Sequence, residues 1–494
     1  MYGLFSIFDL GTLPWLLAGI PIGLIFGLLP GLSGLSALAL LMPFVFGMDP
    51  GPALAFLLAA HAVIYTGGSV TAVLMNIPGA PPNAAAMIDG FPMTQQGLGG
   101  RAVGNAVTSS IIGGIFGGLV LIGLVFLVRP IVMSFGLPEY FFLSLLGISF
   151  IAVLGRESAV KGVISGTIGV FLSLVGMHTL TGIPRFTFGS IMLMDGFGVV
   201  PVALGLFAMP EVLKLFFSSG SIAQVEKSNL NVGVKAVLEG IKDIPRNFRL
   251  VLQSSVIGTV IGIIPGVGGD TAPFVAYGIA KRTSKNPEKF GYGSIEGVIA
   301  PESANNAKEG GSLLPTLAFG IPGSSAMALL MGAFLLVGIK PGPLFLQEHT
   351  ALAFSLASTV IFANICGGSL LLLLGGHLAK LTFIRGNLLA PIVLTLIVVG
   401  GYATRGALWD VGLVVAFGAM GWAMLVYDYN RPALLLGFVL GGMAERYFGL
   451  SLQTYGWLFF ARPISLTLLA ATIFVLFSGQ IRTGITGVRR KIGR

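Results

Sequence analysis

Seven stretches of this chain, at about 103–128, 138–155, 198–217, 346–378, 386–404, 406–427 and 463–481, are apolar almost without interruption. Each approaches or exceeds the ~20 residues that a helix needs to cross ~30 Å of hydrocarbon. Hydrocarbon offers no water to backbone N–H and C=O groups, so a buried segment must satisfy them within a helix or a closed barrel. Barrel strands would read as ~10-residue stretches alternating polar and apolar. These runs are continuous and glycine-rich, which predicts helices. With 55% hydrophobic and 10% charged residues, a 494-residue chain has too little polar surface to coat a water-soluble globule. Its 73 glycines suit close helix packing in lipid.

The net charge of +9 comes from basic residues dispersed between the spans or gathered in short flanking loops. That is the pattern of positive-inside topology, so no nucleic-acid partner is expected. Cys366 is the one cysteine, which excludes an intrachain disulfide and a multi-cysteine metal site. The start of the chain lacks a basic n-region and a clear small-residue cleavage site, so no removable signal peptide is expected.

Pro-Gly interrupts a helix-like apolar run twice, in Phe26-Gly-Leu-Leu-Pro-Gly-Leu-Ser-Gly34 and in Ile261-Gly-Ile-Ile-Pro-Gly-Val-Gly-Gly269. Pro30-Gly31 and Pro265-Gly266 are the breaks. Gly27, Pro30, Gly31, Gly34 and Ala37 match Gly262, Pro265, Gly266, Gly269 and Ala272 at one constant offset. In the same order, Gly67-Gly68-Ser69 pairs with Gly310-Gly311-Ser312, and Ile77-Pro78-Gly79 with Ile321-Pro322-Gly323. Ordered recurrence of three elements predicts a duplication. The expected organisation is a first membrane repeat (1–217), a polar cytoplasmic linker (218–249), a second membrane repeat (250–462), and an extra C-terminal helix with a basic cytoplasmic tail (463–494).

Arm length decides what each break means. Residues 15–29 and 36–47 would rise only about 22 and 18 Å, so neither arm crosses the core alone and a re-entrant hairpin fits. In the second copy Lys242, Arg246 and Arg249 precede the first arm, and Lys281, Arg282, Lys285 and Lys289 follow the second, which puts both ends on the positive side. Threading outward leaves Arg129, Arg185, Lys340, Arg405, Arg446 and Arg462 outside and Lys308 at membrane depth. An odd number of crossings in the first half then turns the second copy upside down. The expected fold is an all-α polytopic membrane protein of two inverted-topology repeats, each with a re-entrant Pro-Gly-broken hairpin, and about 11–12 membrane segments.

Helices restart just after each break, and their free N–H groups and positive dipole ends suit carboxylates. An anionic substrate is implied; a packing kink is the plain alternative for a single break, and the duplicate placement argues against it. Ser33, Gly34 and Ser36 follow the first break, and Gly268, Gly269, Asp270 and Thr271 the second. The second motif pair carries Thr66, Ser69, Thr71, Asn76, Pro78, Gly79 and Asn83, then Ser312, Thr316, Pro322, Gly323, Ser324 and Ser325. Their hard oxygens suit Na⁺, and equally suit interhelical hydrogen bonds worth only ~0.6–2 kcal/mol each.

The segment Glu302, Ser303, Asn305, Asn306, Lys308 and Glu309 is open to two readings. It is either an intramembrane polar group that faces a cavity or pairs internally, or a cytoplasmic loop after Phe290-Gly-Tyr-Gly-Ser294. His61, His178, His349 and His377 lack metal-ligand spacing and read as packing or interface residues. No phosphate-binding Gly-x-x-x-x-Gly-Lys-Ser/Thr loop occurs, and no nucleophile motif joins Ser to His. Neither enzyme activity nor an organic cofactor is expected.

At these residues the chain resembles the large membrane subunit of the tripartite tricarboxylate transporters, the TctA type. The matching motifs are Gly27-Leu-Leu-Pro-Gly-Leu-Ser-Gly34, Asn76-Ile-Pro-Gly79, Gly262-Ile-Ile-Pro-Gly-Val-Gly-Gly-Asp270 with Ala276-Tyr277 and Lys281-Arg282, and Gly320-Ile-Pro-Gly-Ser-Ser325. The resemblance implies ion-gradient-driven uptake of carboxylates such as citrate across the bacterial inner membrane. It also implies two partners, a periplasmic solute-binding protein (TctC type) and a small membrane subunit (TctB type). The reading is therefore a secondary active importer, with a passive anion channel and an intramembrane enzyme as alternatives. Ser33, Gly34, Ser36, Gly268, Gly269, Thr271, Ser324, Ser325 and Lys308 are expected around the substrate. Asn76, Asp270 and Asn305 are expected around a coupling cation, Na⁺ or H⁺.

Overall fold

The structure is a computed structural model, in which residues 2–29, 34–150, 159–217, 233–265, 269–378 and 386–476 are described. Among them the chain is helical apart from one antiparallel ribbon, β1 (Gly176–Met177) with β2 (Pro184–Arg185). Among the described residues six helices are long and apolar enough to cross a membrane: Pro50–Met75, Gly99–Val132, Val199–Phe217, Thr350–Leu374, Leu408–Val426 and Arg431–Ala461. Four of the seven predicted runs lie in these helices. The runs at 138–155 and 463–481 extend beyond the described helices Leu137–Ser149 and Pro463–Leu476 into residues that are not described, and the run at 386–404 is the helix Gly386–Ala403. Pro50–Met75 was not among the runs, because His61, Thr66, Ser69 and Thr71 break its apolar pattern although it is buried along nearly its whole length.

Eleven helices position the site: α1 (Leu13–Leu28), α2 (Gly34–Leu41), α3 (Pro50–Met75), α4 (Ala84–Gln95), α5 (Gly99–Val132), α6 (Val234–Arg246), α7 (Phe248–Ile263), α8 (Ala272–Thr283), α9 (Ile295–Phe319), α10 (Ser325–Leu336) and α11 (Thr350–Leu378). Helix α1 runs beside α3 in the same direction. Gly19, Gly23 and Gly27 lie in turn against the carbonyls of Phe56, Ala60 and Ile64, so close that a Cβ on any of the three would collide with that oxygen. Two neighbouring helices that advance together require the chain to double back between them. Helix α2 and the 3₁₀ turn Met42–Val45 make that return.

The same construction recurs in α7 and α9. Gly258 and Gly262 lie against the carbonyls of Ala304 and Lys308, and α8 makes the return. Arg249 at the start of α7, Thr283 at the end of α8 and Glu296 at the start of α9 line one cavity, so the α7–α8 pair begins and ends on one side. The Ile-Pro-Gly turns lock each pair. A Cβ on Gly79 would fall 2.5 Å from the Gly27 carbonyl and from Gly68 Cα, and one on Gly323 2.8 Å from the Gly262 carbonyl and 2.6 Å from Ser312 Cα. Only glycine allows these approaches.

Helices α3 and α9 cross at the centre in opposite directions, with His61, Thr66 and Ser69 facing Glu309, Asn306 and Glu302. Gly113-Gly114 and Gly117-Gly118 give α5 two small faces. Gly113 and Gly117 meet α9 at Ser303 and Ala307, and Gly114 and Gly118 meet α11 at Asn364 and Ile361. Within the stretch expected as a linker, α6 is a helix that packs on α5 and receives Arg101 on Asp243 at 2.6 and 2.8 Å; residues 218–232 lie outside the described residues.

Candidate functional site

Polar residues recur in α9 at 302, 305, 306, 309, 312 and 316, and in α3 at 61, 65, 66 and 69. Spacings of three and four put each set on one helical face. Crossing the two helices brings those faces together. The α9 segment Glu302–Glu309 is therefore not a loop but the buried middle of a helix.

Lys308 is 1% exposed and is the largest buried cation of this core. Its Nζ lies 3.4 Å from Asp270 Oδ1, 3.4 Å from Glu309 Oε1, and 4.1 Å from the centre of the Tyr65 ring. The other Glu309 oxygen is 2.9 Å from His61 Nε2. Glu302 Oε2 accepts from Ser69 Oγ at 2.6 Å and from Ser110 Oγ at 2.8 Å. Asn306 donates to Thr66 Oγ1 at 2.8 Å and to Asn364 Oδ1 at 2.5 Å. Asn305 is fully buried, and both polar atoms of its amide lack a protein partner.

Burial makes unpaired charge expensive, so these groups must be compensated locally. Of the three carboxylates, Asp270 and Glu309 lie at the Lys308 ammonium, Glu309 also meets the His61 imidazole, and Glu302 is held by two hydroxyls. Asp270 differs from the other two in being a third exposed, so it is the member of the network that solvent reaches.

The first described residue after each break lies against one member of the Tyr65–Lys308 pair. A Cβ on Gly34, the first described residue after the first break, would touch Ile64 Cγ2 at 3.4 Å and the Tyr65 ring at 3.7 Å. A Cβ on Gly269, the first described residue after the second, would fall 3.0 Å from Lys308 Cδ and 3.6 Å from Ser312 Oγ. The Ser312 hydroxyl is buried without a protein partner.

The remaining predicted site residues are more dispersed. Pro30, Gly31, Ser33, Gly266 and Gly268 lie outside the described residues, and Pro265 closes the first arm of the second pair. Ser36 is buried and donates to the Phe207 carbonyl at 3.1 Å, within the π-helical segment Leu204–Ala208. Thr271 ends the 3₁₀ turn that starts at Gly269. Ser324 caps α10 by accepting from Met327 N at 3.3 Å, and Ser325 is the first residue of that helix. Asn76 is exposed and caps α3 in the left-handed conformation (φ 59°, ψ 29°), as Gly320 caps α9 (φ 66°, ψ 24°). Among the described residues, no group of three His, Cys, Asp or Glu side chains is arranged to hold a metal.

His61, read as a packing or interface residue, instead lies buried with Nε2 2.9 Å from Glu309 Oε2. Tyr65, Ser110 and Asn364 were also missed. The four-residue spacing of His61, Tyr65 and Ser69 was the available signal for a polar face.

The family model described as the tripartite tricarboxylate transporter TctA family matches residues 13–436, which include both breaks and the polar crossing. The chain is 33% identical over 462 residues to an uncharacterized 52.8 kDa protein in the TAR-I ttuC' 3'region of Agrobacterium vitis, covering 92% of this chain and 90% of that protein. It is 37% identical over 190 residues to an uncharacterized protein in the TAR-II ttuC' 3'region of the same organism, covering 38% of this chain and 78% of that protein. No solved structure matches. By the extent of these matches and by its helices, the chain belongs to the tripartite tricarboxylate transporter TctA family and is a multi-pass membrane transporter, not an enzyme.

Proposed function

We propose that this protein is the large membrane subunit of a binding-protein-dependent importer that takes up organic carboxylates, such as citrate, by cation coupling. The observation that carries this reading is that Gly34 and Gly269, the first described residues after the two breaks, lie against Tyr65 and Lys308, which themselves pair. A buried ammonium whose partner Asp270 is partly exposed can exchange that partner for a substrate carboxylate, while Gly269 leaves room where a side chain would crowd the stem of Lys308. Helix N-termini at the breaks add N–H donors for the remaining carboxylates.

The excess of carboxylates over cations in this network favours a coupling cation. A proton or Na⁺ entering with substrate would offset Asp270, Glu302 or Glu309 when Lys308 turns to the incoming anion. Asn305 and Ser312, with unpartnered polar atoms, supply neutral oxygens nearby in α9. Two inverted repeats are supported by the recurrence of a doubled-back helix pair against a parallel long helix, and by the opposed directions of α3 and α9. Movement of one unit against the other would then alternate access to Lys308. We assign the partners to a periplasmic solute-binding protein and a small membrane subunit, and the location to the bacterial inner membrane with the C-terminus in the cytoplasm.

Reconstitution with both partners in liposomes tests this reading. Labelled carboxylate should accumulate above its outside concentration under an imposed cation gradient, and an ionophore should abolish the accumulation. Equilibration without accumulation would establish a channel instead, and recovery of altered substrate an enzyme.

A further inference from the structure

A cavity of about 750 Å³ lies away from the Lys308 core, where the start of α7, the end of α8 and the start of α9 meet. Arg246, Arg249 and Lys285 line it against one carboxylate, Glu296, with Asn247, Gln253, Thr283 and Ser284 as neutral polar groups. Arg246, Arg249 and Lys285 are all exposed to it rather than consumed in ion pairs among the described residues. Its α7 wall continues into the membrane. Arg249, Gln253, Val256 and Val260 follow one another at i, i+4, i+7 and i+11, a single helical face. Val256 and Val260 are 48% and 51% exposed, on a helix whose opposite face is packed against α9.

We infer that this cavity holds the headgroup of an anionic phospholipid, with an acyl chain along Val256 and Val260. Guanidinium groups bind phosphate oxygens in pairs, and an excess of basic over acidic groups favours a negatively charged headgroup over a zwitterionic one. A soluble anion would need only the charged mouth. The apolar face that runs from Arg249 about 16 Å along α7 to Val260 is what a lipid uses and a soluble anion does not. The lipid would bridge the two arms of the second helix pair at their shared end, where Arg249 belongs to one arm and Lys285 follows the other.

Native mass spectrometry of the full chain, with equal amounts of phosphatidylglycerol and phosphatidylcholine, tests the site. The wild type should retain phosphatidylglycerol preferentially. Arg246→Gln with Arg249→Gln and Lys285→Gln should lower that retention at least tenfold, whereas Arg129→Gln with Lys340→Gln and Arg446→Gln, remote from the cavity, should leave it unchanged. Should the first triple variant fail to fold, Arg249→Gln alone should lower retention measurably. Equal retention of the two lipids by the wild type, or equal loss in both triple variants, would overturn the assignment. So would cavity-dependent binding of inorganic phosphate with no lipid preference.

Discussion

Lys308 holds the residue-level account together. Removing one partner of a buried ion pair leaves the other uncompensated, at a cost of about 3–5 kcal/mol. Lys308→Met strands Glu309, whose side chain is 3% exposed, more severely than Asp270, which water reaches. Thermal unfolding should therefore show a large loss for Lys308→Met and partial recovery when Glu309→Gln is added. Additive losses in the double variant would show that the two residues do not interact. Asp270→Asn should be milder, within about 1 kcal/mol, because a partly exposed group is screened by solvent. Gly269→Val should keep the fold yet reduce uptake at least tenfold, since its side chain would press on the stem of Lys308. Wild-type uptake by that variant would remove the second break from the site.

Helix pairs are the next scale, and glycine sets their spacing. Gly23 and Gly258 stand against the carbonyls of Ala60 and Ala304 with no room for Cβ, whereas Gly412 has open space around it. Replacing Gly23 or Gly258 by Leu should cut the yield of folded protein at least tenfold in detergent-resistant gel filtration, and Gly412→Ala should leave it unchanged. Apolar length was legible for the lipid-facing helices, because hydropathy reports contact with hydrocarbon. It failed for α3 and α9, whose polar residues face each other across the protein centre and so dilute the apolar signal of buried spans. The recurrence of Pro-Gly was legible for a different reason. A chain that must double back inside a membrane has few residues with which to do so. Asn76 adds a backbone role that its polar side chain did not signal: its left-handed conformation caps α3 as Gly320 caps α9.

Over the whole molecule, charge sorts by face. Arg101 with Asp243, and the cavity of Arg246, Arg249 and Lys285, lie at the end where α5, α7 and α9 begin. Arg462 with Glu139, and Arg185 with Glu445, tie together segments that the threading puts on the other face. In a Cys366→Ala background, cysteines at Lys285 and Gly97 should react with a membrane-impermeant maleimide from one side, and cysteines at Lys340 and Arg446 from the other. Labelling of all four from one side would contradict the crossed arrangement of α3 and α9 in a membrane. The core position of Lys308 leads to the sharpest measurement. On the proposed reading, the ligand of the periplasmic solute-binding protein can be identified, labelled and titrated onto the purified membrane complex. Saturable, cation-dependent binding that weakens at least a hundredfold in Lys308→Gln, with the folded state and lipid retention intact, is the predicted result; undiminished affinity in Lys308→Gln would contradict the account.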